Sequence, residues 1–231
     1  MQRLARIALF VERYGLSLLF LSFAWKQVDA IGTALDAWRG GNPAAFAGLV
    51  NHLLIFALQL VSGIALLVNK TPERIPENWQ ELAIPLLGTF FYVSYNFAGN
   101  FPEPLARSLA PSDWQAPLAA AALILSCVGF AIAVWGAAYL GRSFAVLVAV
   151  RKIVNGGPYQ FVRHPIYSGY VLHVVSLFLS RTSLVMAGLV TTHLALTVWR
   201  ARLEEASLQA HSEEYRRYSK RTGFLLPRRW F

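Results

Sequence analysis

The chain has 231 residues, of which 56% are hydrophobic and only 14% charged, against about 25% charged in a soluble domain. That balance excludes an ordinary soluble enzyme and points to membrane helices. The net charge of +9 is not read as nucleic-acid binding, because basic cytoplasmic loops give a membrane protein the same excess. A single cysteine, Cys127, inside an apolar run, leaves no intrachain disulfide and is assigned to packing.

Six apolar segments follow in chain order. The first covers residues 7–28, with Glu12 and Arg13 in its opening turns. No small-residue cleavage pattern follows it, so it reads as a retained helix and not as a signal peptide. The others cover residues 44–68, 79–97, 117–140, 165–180 and 182–199. Several reach the ~20 residues that a membrane span needs. The last two are joined by almost nothing and predict a tight antiparallel helical hairpin. The fold class expected is an all-α integral membrane protein with about six transmembrane helices, the last two a tight helical hairpin, with a cytoplasmic loop and a C-terminal helix. A rise in charge after Leu140 is the one useful boundary. The chain is expected to divide into an N-terminal three-helix membrane region at 1–116 and a chemically active region at 117–231.

Basic residues test the count. With six crossings and both termini cytoplasmic, seventeen Lys and Arg fall inside and four (Lys26, Arg39, Arg107 and Arg181) outside. This is the bias that orients membrane proteins. Within the spans, Asn51, His52, Gln59, Tyr92, Tyr95 and Asn96 are read as interhelical hydrogen-bonding groups in preference to a substrate path.

The most informative stretch runs from Gly156 to Gly169: Gly-Gly-Pro-Tyr-Gln-Phe-Val-Arg-His-Pro-Ile-Tyr-Ser-Gly. Gly156, Gly157 and Pro158 interrupt a helix. Pro165 pushes His164 towards an extended conformation and is tolerated in the first turn of a new helix. Arg163 and His164 then stand at a helix mouth, where free N–H groups and an arginine suit an anion. An interfacial loop anchored by Arg and Tyr is the simpler alternative. Downstream, Arg200 and Glu204 are four residues apart on one helix face, and Arg202 and Glu205 form a second candidate pair. As surface pairs each would contribute only ~0.3–0.5 kcal/mol. The helix is expected to continue through Tyr215 and Tyr218 and to end at Gly223 and Pro227. Arg228, Arg229, Trp230 and Phe231 then read as an interfacial anchor.

These residues carry a resemblance. Gly157-Pro158-Tyr159, Arg163-His164-Pro165-x-Tyr167-x-Gly169, the Arg/Glu-Glu cluster and Tyr215-x-x-Tyr218 resemble the isoprenylcysteine carboxyl methyltransferase family. Gly141-Arg142-Ser143-Phe144 is similar to its prokaryotic-type relatives, and Ala195-Leu196-Thr197-Val198-Trp199-Arg200 to the eukaryotic enzyme. The resemblance covers about residues 117–227 and leaves the first three spans unmatched. The Arg-His-Pro-x-Tyr piece is shared with membrane sterol reductases and phospholipid methyltransferases.

The resemblance implies S-adenosyl-L-methionine as methyl donor on the cytoplasmic side. It implies a cofactor site of Arg151, Lys152, Ile153, Val154, Tyr159, His164, Pro165, Ile166, Tyr167 and Glu204. Arg200 would be the substrate-side arginine, and Arg200 and Glu204 the catalytic pair, with Arg202 and Glu205 as rivals for those roles. The acceptor would be an isoprenylcysteine-like or other lipidic or prenylated acid entering from the bilayer. Methyl transfer to a carboxylate that is already ionised needs no metal or covalent nucleophile. No His-Glu-x-x-His, paired-cysteine or Gly-x-Ser-x-Gly pattern occurs. Alternatives are a phospholipid N-methyltransferase, an NADPH-dependent sterol-type membrane reductase and a non-enzymatic scaffold. The acceptor and the oligomeric state stay open.

Overall fold

The apolar runs fold as helices throughout. The structure, a computed structural model, describes residues 1–42 and 44–228. The expected anchor at Arg229, Trp230 and Phe231 lies outside the described residues. Helix α1 runs Gln2–Arg39, about 57 Å at 1.5 Å per residue. The expected span at 7–28 is thus the middle of a longer rod. Its turn Val11–Leu16 is π-helical, a widening that recurs at functional positions. This turn carries Glu12, which is fully buried. The next residue, Arg13, donates through Nε to the Leu67 carbonyl at 3.1 Å, satisfying one orphan carbonyl at the end of α2.

Helix α2 is Ala44–Leu67. Helix α3, Trp79–Phe90, starts at Asn78, whose side chain accepts from the Glu81 amide, and continues as 3-10 turns over Phe91–Asn100. A one-turn helix α4, Glu103–Ala106, follows a proline-punctuated loop. Helix α5 is Ser112–Leu140, α6 Pro165–Ser180, α7 Leu184–His211 and α8 Glu213–Ser219. Among the described residues five helices are long and apolar enough to cross a membrane. The sixth apolar helix, α6, has 16 residues, about 24 Å, short of a hydrocarbon core of about 30 Å. Helix α7 does not stop at residue 199. It carries Arg200, Glu204 and Glu205 on the same rod and breaks only at Ser212, whose hydroxyl accepts from the Tyr215 amide at 3.1 Å and restarts the chain as α8.

Helices α5 and α6 make the closest approach. A Cβ on Gly129 would lie 2.6 Å from the Gly169 carbonyl oxygen, and one on Gly169 would lie 2.3 Å from that of Gly129. Such small-residue contacts are how membrane helices gain packing where lipid offers no hydrophobic drive. One hydrophobic cluster joins Leu16, Leu58 and Leu66 to Phe130, Ala133, Ala137 and Ile166, so both halves of the chain share it. Some of the polar groups within the spans act as interhelical ties, whereas Gln59 Oε1 and the Tyr92 hydroxyl have no hydrogen-bond partner among the described residues. Ser126 donates to Asn51 Oδ1 at 2.8 Å and meets His173 Nδ1 at 3.0 Å, and His52 Nδ1 meets Gln27 Oε1 at 3.0 Å.

The connections at one end of the bundle are knitted together. The Glu73 amide donates to the Val150 carbonyl at 2.8 Å, the Val150 amide to Arg74 at 3.1 Å and the Lys70 amide to Arg142 at 3.0 Å. Segment 144–154 is thereby held across the helix ends as a roof.

Candidate active site

Under that roof lies a cavity of about 460 Å³, within the usual range for small-molecule sites. Helix α7 lines it with His193, Thr197, Arg200, Glu204 and Ser207, spaced four, three, four and three. That is one continuous helical face. Helix α6 adds Ile166, Tyr167, Tyr170 and His173, α2 adds Leu58 and Gln59, and the roof adds Arg151, Lys152, Ile153 and Val154.

Arg200 is 8% exposed. Its Nη2 donates to the Val146 carbonyl at 2.8 Å, Nη1 to Thr89 Oγ1 at 3.2 Å and Nε to Glu204 Oε1 at 3.3 Å. Its guanidinium lies 5.0 Å from the Tyr167 ring centroid. Three of the five N–H groups of a guanidinium are thus engaged, and two remain for an acceptor in the cavity. The Tyr167 hydroxyl donates to the same Glu204 oxygen. The other Glu204 oxygen is 3.9 Å from His164 Nδ1. Cation and carboxylate therefore sit side by side on the cavity wall, each fixed by neighbours.

The two pairs left open by the sequence separate cleanly. Arg202 is exposed and lies outside the cavity lining. Glu205 turns to the loop. It accepts from Arg163 Nε at 2.7 Å, His164 Nε2 at 3.1 Å, the Tyr215 hydroxyl at 2.6 Å and Gln209 Nε2 at 3.2 Å. Burial and this carboxylate push the Tyr215 phenol well up, and burial pushes Tyr218 up to about 12. Arg163, expected as an anion ligand at the helix mouth, is spent on protein partners. Besides Glu205 it donates through Nη1 to the Ser219 carbonyl at 2.9 Å and to that of Thr222. The Arg-His pair therefore fastens the C-terminal segment to the loop.

Of the remaining expected residues, Tyr159, His164, Ile166 and Tyr167 line the cavity. The Tyr159 hydroxyl donates to Gly136 at 3.4 Å, and its carbonyl accepts from Tyr218. Pro165 is fully buried, opens α6 and does not line the cavity. Its part is to start the helix.

One residue escaped the sequence reading. Glu12 accepts from the amides of Val146 at 2.5 Å and Leu147 at 2.7 Å, and from Arg151 Nη2 at 3.3 Å. Its local signal, a carboxylate in an apolar helix, reads as an interruption of the first span; only the fold shows what it meets. Arg151 is 5% exposed and donates through Nε to Lys70 at 3.1 Å. Its Nη1 has no partner among the described residues, and the side chain lines the cavity. A buried donor of this kind costs free energy unless something fills it. The roof thus offers a carboxylate a guanidinium, and the α7 face offers a cation Glu204. That polarity fits a zwitterionic molecule that also bears a cation.

Residues 118–214 match the sequence model of the phospholipid methyltransferase family. Among solved structures the chain is similar to the eukaryotic intramembrane Ras methyltransferase, isoprenylcysteine carboxyl methyltransferase, with 16% identity, a TM-score of 0.45 and 97% of each chain covered. No curated protein matches it. The matched residues hold the roof segment, the α6–α7 pair and the Arg200–Glu204 wall, so it is this part of the chain that is similar to the phospholipid methyltransferase family.

Proposed function

We propose that the protein transfers a methyl group from S-adenosylmethionine to the carboxylate of a lipidic acid of the isoprenylcysteine kind. The observation that carries this is Arg200: a buried guanidinium on the cavity wall with two N–H groups left for an acceptor. A guanidinium matches a carboxylate in charge and shape. Bound in the cavity, S-adenosylmethionine supplies an electrophilic methyl group on a sulfonium. Arg151 Nη1 would hold the donor's carboxylate, and Glu204, kept in place by Tyr167 and Arg200, would favour its cationic end. Arg200 would hold the acceptor in line. Alignment of this sort is worth up to about 7–11 kcal/mol in well-oriented systems. The roof and the aromatic wall keep water from the reacting pair. A lipid tail would enter sideways between helices. The bias of seventeen basic residues to four supports a site on the cytoplasmic side.

A phospholipid amine is the second reading, favoured by the family that residues 118–214 match. An amine must lose a proton before it attacks, and Glu204 is the carboxylate in reach to take it. The positive charge of Arg200 beside Glu204 works against a cationic headgroup, which is why the acid is preferred. The similarity of residues 118–214 to a methyltransferase family weighs against the reductase alternative.

The test is turnover with methyl-labelled S-adenosylmethionine and purified protein in detergent, offering prenylcysteine acids and phosphatidylethanolamine separately. Base-labile label in a lipid ester supports carboxyl methylation, and base-stable label in the phospholipid headgroup supports the amine. Binding of NADPH without binding of S-adenosylhomocysteine would overturn both.

A further inference from the structure

The cavity has a second polar end that methyl transfer does not use. On α7, His193 precedes Arg200 by seven residues; on α6, His173 follows Tyr167 by six. Both lie about 10 Å deeper than the reacting end. The Tyr92 ring sits between these imidazoles, 4.5 Å from His193 and 5.7 Å from His173 by ring centroids. Both imidazoles are already engaged: His173 Nδ1 with Ser126 at 3.0 Å and His193 Nδ1 with Tyr95 at 3.2 Å. Tyr92 itself is not. Its hydroxyl oxygen is buried and has no hydrogen-bond partner among the described residues, and the same holds for Gln59 Oε1 on α2. Both side chains line the cavity. The wall also carries Phe20, Leu58 and Phe130, as a hydrocarbon chain requires.

A plain hydrocarbon tail threading this cavity would leave a phenol and an amide oxygen desolvated against nothing, at a cost in free energy. A hydroxyl on the chain supplies what each lacks, a donor for Gln59 Oε1 and an acceptor for the Tyr92 O–H. We infer that the inner end of the cavity is a recognition site for a hydroxyl carried part-way along the acceptor's chain, set by Gln59 and Tyr92. The acceptor class is then a mid-chain-hydroxylated lipid acid. This rests on the reading of the cavity as the acceptor site. It also explains why polar groups from α2, the α3 extension, α6 and α7 converge inside an apolar bundle.

The experiment is calorimetric binding to the full chain in detergent of hydroxystearate, its hydroxyl mid-chain, against stearate. Wild type is expected to hold the hydroxylated acid about tenfold tighter, a difference of about 1.4 kcal/mol. Tyr92→Phe and Gln59→Leu are each expected to shrink that ratio several-fold, and the double variant to abolish it, with stearate binding retained. S-adenosylhomocysteine binding in the same preparations reports folding and the cofactor site separately. Equal affinity of wild type for the two acids, or a preference that survives the double variant, overturns the inference. Absence of S-adenosylhomocysteine binding with the hydroxyl preference intact would defeat the methyl-transfer reading and leave this site standing.

Discussion

Glu12 and Val146 are 134 residues apart in sequence and joined by a hydrogen bond of 2.5 Å. The carbonyl of the same Val146 accepts from Arg200 at 2.8 Å. One residue of the roof thus links the first helix, through a buried carboxylate, to the arginine on the cavity wall. Glu12 lies outside the matched stretch 118–214, so the N-terminal half completes a site whose chemical groups lie in the C-terminal half.

Removing that carboxylate should uncouple the two. Glu12→Ala takes the acceptor from Arg151 Nη2 and from two buried backbone amides, a loss of about 3–5 kcal/mol, and should lower the Tm in detergent sharply. Glu12→Gln keeps an oxygen for the amides and loses only the charge facing Arg151. It should fold and bind S-adenosylhomocysteine about tenfold more weakly, with a smaller effect on kcat. Unchanged cofactor affinity in a folded Glu12→Gln protein would show that the roof does not depend on this contact.

The cavity wall makes a sharper prediction for the arginines. Arg200→Lys keeps the charge and removes the fork, so turnover should fall at least tenfold while cofactor binding stays. Arg202→Ala, at an exposed position, should stay within about twofold of wild type, as surface changes usually do. A steady-state comparison of the two variants checks this. Loss of turnover in Arg202→Ala instead would reverse the assignment.

Much of this arrangement is legible in sequence wherever the information is local. Apolar length marks the long helices, the Gly-Gly-Pro and His-Pro steps mark the loop, and four-residue spacing puts Arg200 beside Glu204. Other relationships depend on chain crossings that no local pattern encodes. Glu12 looks like a flaw in a span until the roof is folded over it. Glu204 and Glu205 are adjacent in sequence, and a turn of about 100° per residue sends one to the cavity and the other to Arg163. The roof's bonds to residues 70–74 join segments separated by three helices, α3, α4 and α5.

That division between neighbouring glutamates is itself testable. Glu204 makes its contacts on the cavity wall and is the more open, with 22% of its side chain exposed. Glu204→Gln should leave the Tm within a few degrees of wild type and remove most turnover. Glu205 accepts from four donors, and Glu205→Ala takes that carboxylate from the buried His164 and from Arg163, which keeps the carbonyls of Ser219 and Thr222. It should cost about 3–5 kcal/mol, seen as a lower Tm and faster proteolysis after Tyr215. Paired melting curves and assays on the two variants decide whether function and stability divide this way.

The Gly129–Gly169 contact sets where the hairpin stands against α5. Because a Cβ on Gly169 would fall 2.3 Å from a backbone oxygen, no rotamer change relieves it; the helices must separate. Gly169→Ala should therefore destabilise by about 1–3 kcal/mol, the usual cost of overpacking. Any separation also moves Tyr167, two residues away, relative to Glu204. The variant should lose activity at temperatures where it is still folded. Thermal melting and turnover measured on the same preparation check this: a lower Tm with full activity below it would mean that the helices part without disturbing the Tyr167–Glu204 hydrogen bond.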